Sequence, residues 1–195
     1  MAPPAARLCA LLPHLAVPRS SSRGRPAPRV AALTTRYVEV AVDTGSASLQ
    51  RGVGLADITP LVRDAVAAAG VRHGLCTVTS KHTTTAVVVN EDEARLFTDV
   101  QAFLLRLASP EPQSQYKHND IHLREPPPGW TESVETWRAQ EPINAHSHLM
   151  AMLLGSSESL PIVDGVLQIG TWQSLLLVEL DGPRKRRVGV QVMGE

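Results

Sequence analysis

The 195-residue sequence lacks the features that mark several protein classes. Only two cysteines are present, Cys9 and Cys76, so no intrachain disulfide is expected after residue 30 and a reducing compartment fits. The longest apolar runs, such as residues 87–89 and 175–177, are strand-sized and too short to span a bilayer. The chain also has no Walker A, GxGxxG or paired CxxC pattern, and hence no nucleotide fingerprint. We therefore expect a globular protein with no membrane partner.

Acidic residues are absent from residues 1–30, which carry five arginines, three consecutive serines and several prolines. This composition is typical of an organellar transit peptide, although a disordered tail without an address would share it. Composition does not separate the organelles; we expect the chloroplast rather than the mitochondrion. The remaining residues carry fourteen basic and nineteen acidic side chains, which argues against nucleic acid as a partner. Residues 31–195 are long enough for a single domain.

Hydrophobic periodicity predicts an α+β domain. Helices are expected from Thr59 to Gly70, with Thr59 as the N-cap, and from the acids at residues 91–93 to Leu107. A shorter helix is expected within residues 131–140. Short turns such as Asp164-Gly165 imply antiparallel strand pairing. Together these patterns predict an antiparallel β-sheet with about three helices. The strands are expected at residues 33–42, 74–80, 85–90, 160–163, 166–169, 173–180 and 185–193.

Histidines in polar, loop-like contexts form the first candidate site. His118, His146 and His148 are candidate metal ligands, because three imidazoles suit zinc and leave a position open for water or substrate. They are alternatively acid/base groups, or solvated polar residues at the start of a helix. Asp120, two residues after His118, is the candidate carboxylate partner, and His82 is a further candidate acid/base group.

Arginines and hydroxyl groups supply candidate phosphate ligands. Arg184 and Arg186 share the parity of three valines on the last predicted strand, so both could extend its inward face toward a phosphate. A buried ion pair with Glu179 or Asp181 is the alternative for Arg186. Thr83 and Thr84 next to His82 are candidate hydrogen-bond donors, although β-propensity also explains them.

Several stretches taken together resemble one family, the YjbQ-like or secondary thiamine-phosphate synthase family. They follow the order expected for that family and cover nearly all of residues 33–195. The combination of GTWQ after a DG hairpin, followed by ELDGPR, is the specific part of the resemblance. The matching stretches are HTTTAVVVNEDEA (82–94), YKHND (116–120), NAHSHLMAMLLGSS (144–157), LPIVDGVLQIGTWQ (160–173) and VELDGPRKRRVGVQVMGE (178–195).

The resemblance implies a compact α+β fold assembled as a homotrimer, and a thiamine-phosphate synthase activity. That reaction joins a pyrimidine methyl diphosphate to a thiazole phosphate and releases pyrophosphate. This sequence has His146 where the family often has an acidic residue, and a third imidazole favours zinc over magnesium. The positions characteristic of the family are His82, His118, Asn144, His148 and Arg184.

These residues lead to one hypothesis with two alternatives. A divalent metal, zinc or magnesium, at the three candidate ligands would neutralise a leaving diphosphate, and Asp120 would orient a histidine. Arg184, Arg186, Thr83, Thr84 and Asn144 would hold a small phosphorylated metabolite. The first alternative is a zinc-dependent hydrolase of a small metabolite. The second is a trimeric metal-binding or metabolite-binding protein without a dedicated catalytic role.

Overall fold

The computed structural model of the protein describes residues 32–47 and 49–195. The predicted transit peptide, residues 1–30, lies outside these residues. Within the described part the chain forms four α-helices and eight strands, and every paired strand is antiparallel. The predicted α+β class is therefore confirmed. The helices are α1 (Thr59–Ala69), α2 (Ala94–Leu107), α3 (Val134–Gln140) and α4 (Ala145–Leu154).

The strands form two antiparallel sheets where the sequence predicted one. The first sheet has the order β1-β8-β3-β5-β6, and the second has the order β2-β7-β4. The predicted hairpin around Asp164-Gly165 is present, with Val163 opposite Val166. The strands are β1 (Thr34–Asp43), β2 (Gly54–Asp57), β3 (Gly74–Ser80), β4 (Thr85–Asn90), β5 (Ser157–Val163), β6 (Val166–Leu167), β7 (Ser174–Glu179) and β8 (Lys185–Gly194).

The central strand β7 of the second sheet contributes side chains to two apolar clusters, one on each face of that sheet. Its side chains alternate between two apolar clusters, because successive residues of a strand point to opposite faces of the sheet. Leu175 and Leu177 belong to the cluster that also contains first-sheet residues such as Val190. Leu176 and Val178 belong to a second cluster with residues of α2 and α4. The second sheet is thus buried on both faces, and each fully buried leucine contributes about 1.5–3 kcal/mol.

The start of α1 differs from the sequence prediction. Thr59 is the first helical residue and not the N-cap; Ile58 takes that position without a side-chain hydrogen bond. The Thr59 hydroxyl oxygen instead accepts the backbone N–H of Leu175 at 2.8 Å, which joins the helix to β7. The Asp57 carboxylate accepts the N–H of Thr59 at 2.8 Å and so serves the helix start. The predicted stop at Gly70 is correct, since this residue has a positive φ of 69°.

The second helix also begins later than expected. The acids at residues 91–93 precede α2, and Glu93 is its N-cap, accepting the N–H groups of Arg95 and Leu96 at 2.8 and 2.7 Å. Between α2 and α3 the chain makes three short 3₁₀ turns and no strand. This segment matters for the site, because one of its turns, Lys117–Asn119, contacts α4. None of the helices described is long and apolar enough to cross a membrane.

Candidate functional site

An open polar cleft of about 410 Å³ lies where the loop after β3 meets the start of α4 and the start of β8. Eight of the ten predicted site residues line it, although they come from four separate parts of the chain. The other two, Asp120 and His146, are not among its lining residues. The eight are His82, Thr83, Thr84, His118, Asn144, His148, Arg184 and Arg186.

His82 is held in one protonation form by the neighbouring strand. Its Nε2 accepts the backbone N–H of Arg187 at 2.8 Å, so in the neutral ring the proton is on Nδ1. Burial, followed by the charge of Arg186, lowers the pKa of His82 below its ordinary value. The neutral ring is therefore a hydrogen-bond donor at Nδ1. This geometry favours orientation of a substrate over the acid/base alternative.

His118 and His148 form a pair of neutral imidazoles. Their ring centroids are 4.7 Å apart, and the ring planes meet at 68°. Burial is the main cause that lowers the pKa of each ring, and the positive charge of Arg124 lowers both further. The backbone of Thr83 has a smaller, opposite effect and raises the pKa of His148. Neutral imidazoles at pH 7 can accept a hydrogen bond or a proton from a bound molecule.

Asp181, which the sequence analysis did not include among the site residues, connects the elements of the cleft. Its Oδ2 accepts hydrogen bonds from Asn144 Nδ2 at 2.7 Å and from the Arg184 guanidinium at 2.8 Å. The backbone N–H of Ala145 donates to Asn119 Oδ1 at 3.1 Å, which fixes the histidine turn to the start of α4. The DG turn that follows β7 was visible in the sequence, but the partners of its carboxylate were not.

The three arginines of the cleft differ in how far their charges are already engaged. Arg184 binds Asp181 and keeps 45% of its side chain exposed. Arg124 pairs with Glu141 at 2.8 Å and lies over the ring of Trp137. The sequence analysis missed this pair because the irregular segment that carries both residues has no periodicity.

Of the three arginines, Arg186 has the guanidinium group that is most fully engaged by other side chains. Its Nε donates to Glu179 Oε2 at 2.7 Å, and its Nη2 donates to Glu179 Oε1 and, at 3.2 Å, to the Thr84 hydroxyl. Arg186 and Glu179 are 5% and 0% exposed. The structure thus realises the buried ion pair that the sequence left as the alternative for Arg186. Thr84 accordingly holds an arginine, which leaves Thr83 as the freer hydroxyl of the cleft.

His146 faces away from the other two predicted ligands. Both it and His148 lie in the first turn of α4, where each residue turns the chain by about 100°, so residues two apart point to nearly opposite sides. His146 is 8% exposed and lines a different cleft. Asp120 pairs weakly with Lys117 at 3.9 Å, and among the described residues it makes no hydrogen bond or ion pair with a histidine.

The three histidines predicted as metal ligands are consequently not brought together within the described residues. His118 and His148 are adjacent, but within the described residues no group of three histidine, cysteine, aspartate or glutamate side chains could hold a metal ion. Two imidazoles alone fall short of the three protein ligands usual for catalytic zinc. The described residues of one chain therefore do not fit a catalytic zinc ion, and two imidazoles are not the oxygen ligands that magnesium prefers.

Comparisons with known proteins agree with one another. The family described as "UPF0047 protein YjbQ-like" matches residues 43–195. A UPF0047 protein of Methanothermobacter thermautotrophicus is 35% identical over 159 residues, covering 82% of this chain and 96% of the relative. A UPF0047 protein of Synechocystis sp. is 31% identical over 147 residues, covering 74% of this chain and 86% of the relative.

Solved structures show the same similarity. A crystal structure from Sulfolobus solfataricus P2, described as a YbjQ-like protein of unknown function, matches with a TM-score of 0.67 and 31% identity. The match covers 84% of this chain and 100% of that chain. A YjbQ/UPF0047 family protein of Clostridium acetobutylicum matches with a TM-score of 0.58 and 29% identity over 80% of this chain and 98% of that chain.

Proposed function

The chain belongs to the YjbQ-like (UPF0047) family, and on this premise we propose that its polar cleft is the active site of a transferase of the thiamine-phosphate synthase type. One substrate is a pyrimidine methyl diphosphate and the other is a thiazole phosphate. The carbon–oxygen bond to the diphosphate breaks, with the electron pair leaving on pyrophosphate. The thiazole nitrogen lone pair then forms the new carbon–nitrogen bond.

The observation that carries this proposal is the combination of cations with neutral imidazoles in one open cleft. Lys81, Arg124 and Arg184 all line it, and guanidinium groups bind phosphate oxygens through two parallel hydrogen bonds. Among the described residues Nη1 of Arg184 makes no hydrogen bond, and the side chain is nearly half exposed, so this guanidinium is the group best placed to meet a phosphate. A volume of about 410 Å³ lies in the range of small-molecule sites.

The described residues that line the cleft include no activated nucleophile, which favours direct transfer over covalent catalysis. The thiol of Cys76 is buried in β3 outside the cleft, and burial raises its pKa to about 11. The Thr84 hydroxyl is engaged by Arg186. His82 would donate its Nδ1–H to a substrate oxygen or ring nitrogen, and the pair of His118 and His148 would accept a hydrogen bond. Each of these roles orients a substrate without forming a covalent bond to it.

A divalent metal, zinc or magnesium, stays a proposal that needs further ligands. His118 and His148 would supply two imidazoles, and a third protein ligand would have to come from outside the described residues of one chain. Elemental analysis of the purified protein beside a His148→Ala variant tests this. One metal ion per subunit that is lost in the variant would support the site, and equal metal content in both would exclude His148 as a ligand.

Self-association into the homotrimer implied by the family resemblance is part of the same proposal. On α4, Leu149, Met152 and Leu153 are 42%, 82% and 69% exposed, an unusual display of large apolar side chains on one helix. A mostly apolar cleft bordered by Met152 shares His82, Thr83 and His148 with the proposed active site. A second copy covering this face would shield the histidines from water. Light scattering of the purified protein tests the assembly, and a monomer would contradict it.

The activity is tested by supplying each substrate alone and both together. We expect pyrophosphate and thiamine phosphate only when both halves are present. An Arg184→Gln variant should lose about 10- to 100-fold in kcat/KM, since a hydrogen bond to a charged group contributes about 1.5–3 kcal/mol. Arg72→Gln is the matched control, because Arg72 pairs with Asp164 at the β5–β6 turn outside the cleft.

Two other results would replace the proposal. Release of pyrophosphate from the pyrimidine diphosphate alone, abolished by a chelator, would indicate the zinc-dependent hydrolase. A thermal shift with either phosphorylated compound, without turnover of the pair, would indicate the trimeric metal-binding or metabolite-binding protein. The location of the protein in a chloroplast is a separate proposal, tested by imaging the full chain fused at its C-terminus to a fluorescent protein.

A further inference from the structure

A second cleft, of about 360 Å³, lies on the other side of the start of α4. It is bordered by the tight turn at Arg51, by the loop after α2 and by the DG turn after β7. Its lining is mostly polar, and none of its residues except Asp181 lines the proposed active site. The residues on which the inference rests are Arg51, Glu111, His146 and Asp181.

His146 presents a buried hydrogen-bond acceptor in this region. The hydroxyl of Ser147 donates to the carbonyl of Leu180 at 2.6 Å, so its hydrogen is already used. The 3.4 Å contact between Ser147 Oγ and His146 Nε2 therefore has Nε2 as the donor. Nδ1 is then a bare acceptor, and it is buried with no hydrogen-bond partner among the described residues. A buried group of this kind destabilises a fold unless a donor reaches it.

Two carboxylates, those of Glu111 and Asp181, and one arginine, Arg51, are the charged groups that line this cleft. Glu111 uses Oε2 to accept the N–H of Gln113 at 3.2 Å, and Asp181 uses Oδ2 for its two known partners. One oxygen of each carboxylate thus makes no hydrogen bond within the described part of the chain. Together with the His146 lone pair they form an environment that suits a hydrogen-bond donor with positive charge.

Arg51 supplies the opposite charge from a constrained position. It has a φ of 48°, which is uncommon for a residue other than glycine, and Gly52 follows with a φ of 83°. The turn is closed by two backbone hydrogen bonds between Gln50 and Val53, at 2.8 and 2.9 Å. In the described residues its guanidinium has no ion pair, so five N–H donors remain for an anionic group.

We propose that this second cleft binds a small zwitterion of the amino-acid type. The ammonium group would donate to His146 Nδ1 and to the carboxylate of Glu111, and the carboxylate of the ligand would accept from Arg51. Binding is non-covalent and independent of the proposed transferase activity. An ammonium group fits better than a metal ion, because within the described residues these side chains do not form a group that could hold a metal.

Nuclear magnetic resonance of the full chain with ¹⁵N-labelled histidine tests the site directly. Two-bond ¹H–¹⁵N spectra report which ring nitrogen carries the proton, and we expect the Nε2–H form for His146. Three probes are titrated separately: glycine, methylammonium and acetate. Glycine should shift the Nδ1 resonance of His146 at millimolar concentration and bind more tightly than either half-molecule, because it carries both charged groups in one molecule.

Variants locate the binding. Glu111→Gln and Arg51→Gln should each weaken glycine binding by about tenfold, since each removes one charge-assisted hydrogen bond. Both residues are exposed, so neither change is expected to unfold the protein. His118→Ala is the control, because His118 lines the first cleft and not the second. Its glycine affinity should equal that of the wild type.

The inference is overturned by any one of three results. Glycine leaving the His146 resonance unmoved would show that the acceptor is not reached by an ammonium group. Equal glycine affinity in the wild type and in both cleft variants would place any binding elsewhere. Acetate binding as tightly as glycine would also contradict the proposed role of Glu111.

Discussion

Replacing Arg186 with methionine separates the structural role of this arginine from a role in phosphate binding. The change keeps an unbranched apolar side chain of shorter reach and removes the guanidinium group that pairs with Glu179. The Glu179 carboxylate is fully buried, and three other donors remain for it: the N–H groups of Leu180 and Asp181 at 3.0 and 2.9 Å and the Thr44 hydroxyl at 3.0 Å. It would be left charged and without its cation.

The size of the effect follows from this geometry. Breaking a buried ion pair by removing one partner costs about 3–5 kcal/mol. Because three hydrogen bonds still support the carboxylate, we expect the lower end, about 3 kcal/mol. For a chain of 150–250 residues each kcal/mol lowers Tm by about 2–4 °C, so Tm should fall by about 6–12 °C.

The effect should also depend on pH. Burial raises the pKa of Glu179, but the hydrogen bonds and charge of Arg186 outweigh it and hold the pKa below its usual value. In the wild type this pair therefore stabilises the fold above the pKa of the unfolded chain, and that stability is lost as pH falls through the lower folded pKa. In Arg186→Met burial dominates and raises the pKa of Glu179, so the folded variant takes up a proton before the unfolded chain does. The stability difference should shrink between about pH 7 and about pH 5.

Urea unfolding at one fixed protein concentration measures this difference, because any self-association makes stability depend on concentration. Arg187→Met is the matched control. It lies next along β8, points outward with 71% of its side chain exposed, and pairs with Glu39 at 3.2 Å. We expect it to change stability by less than about 1 kcal/mol. A loss of under about 1 kcal/mol in Arg186→Met, or a loss that stays constant with pH, would refute the reasoning.

Three further changes test other parts of the structure. His148→Ala should raise the pKa of His118, since burial and the neighbouring ring both lower it; a histidine titration followed by NMR measures this, and an unchanged value would contradict the pairing. Glu93→Ala should cost about 1 kcal/mol in urea unfolding, because two N–H groups at the start of α2 lose their acceptor; no loss would argue against the cap. Gly74→Ala should cost about 3 kcal/mol, because the new Cβ would lie 2.1 Å from the carbonyl oxygen of Met193; a wild-type Tm would show that the two strands can separate there.

Much of the fold was predictable because its strands and helices are separated by strong local signals. Gly70 ends α1, and the Asp164-Gly165 turn produces the hairpin. The division into two sheets was not predictable in the same way. The run of four apolar residues in β7 is compatible with any strand buried on both faces, and the choice of partners depends on contacts between distant residues.

Residue type and family resemblance selected ten candidate residues, and eight of them line one cleft. Their arrangement was not predictable from the sequence. The hydrogen bonds and ion pairs that these side chains make depend on residues that are distant in the sequence and close in the fold. Parity correctly placed Arg186 on the inward face of β8. There it pairs with Glu179 of β7, and a buried charge left without a partner would be costly.

The position at which α4 begins determines the directions in which the side chains of His146 and His148 point. In an extended segment, residues two apart lie on the same face and both imidazoles could bind one metal ion. Once Asn144 fixes the start of α4 through Asp181, the two rings are about 200° apart around the helix axis. His148 then joins His118 in one cleft, and His146 lines the second cleft with Arg51, Glu111 and Asp181. The same short motif thus contributes to two separate polar clefts, joined through a single carboxylate.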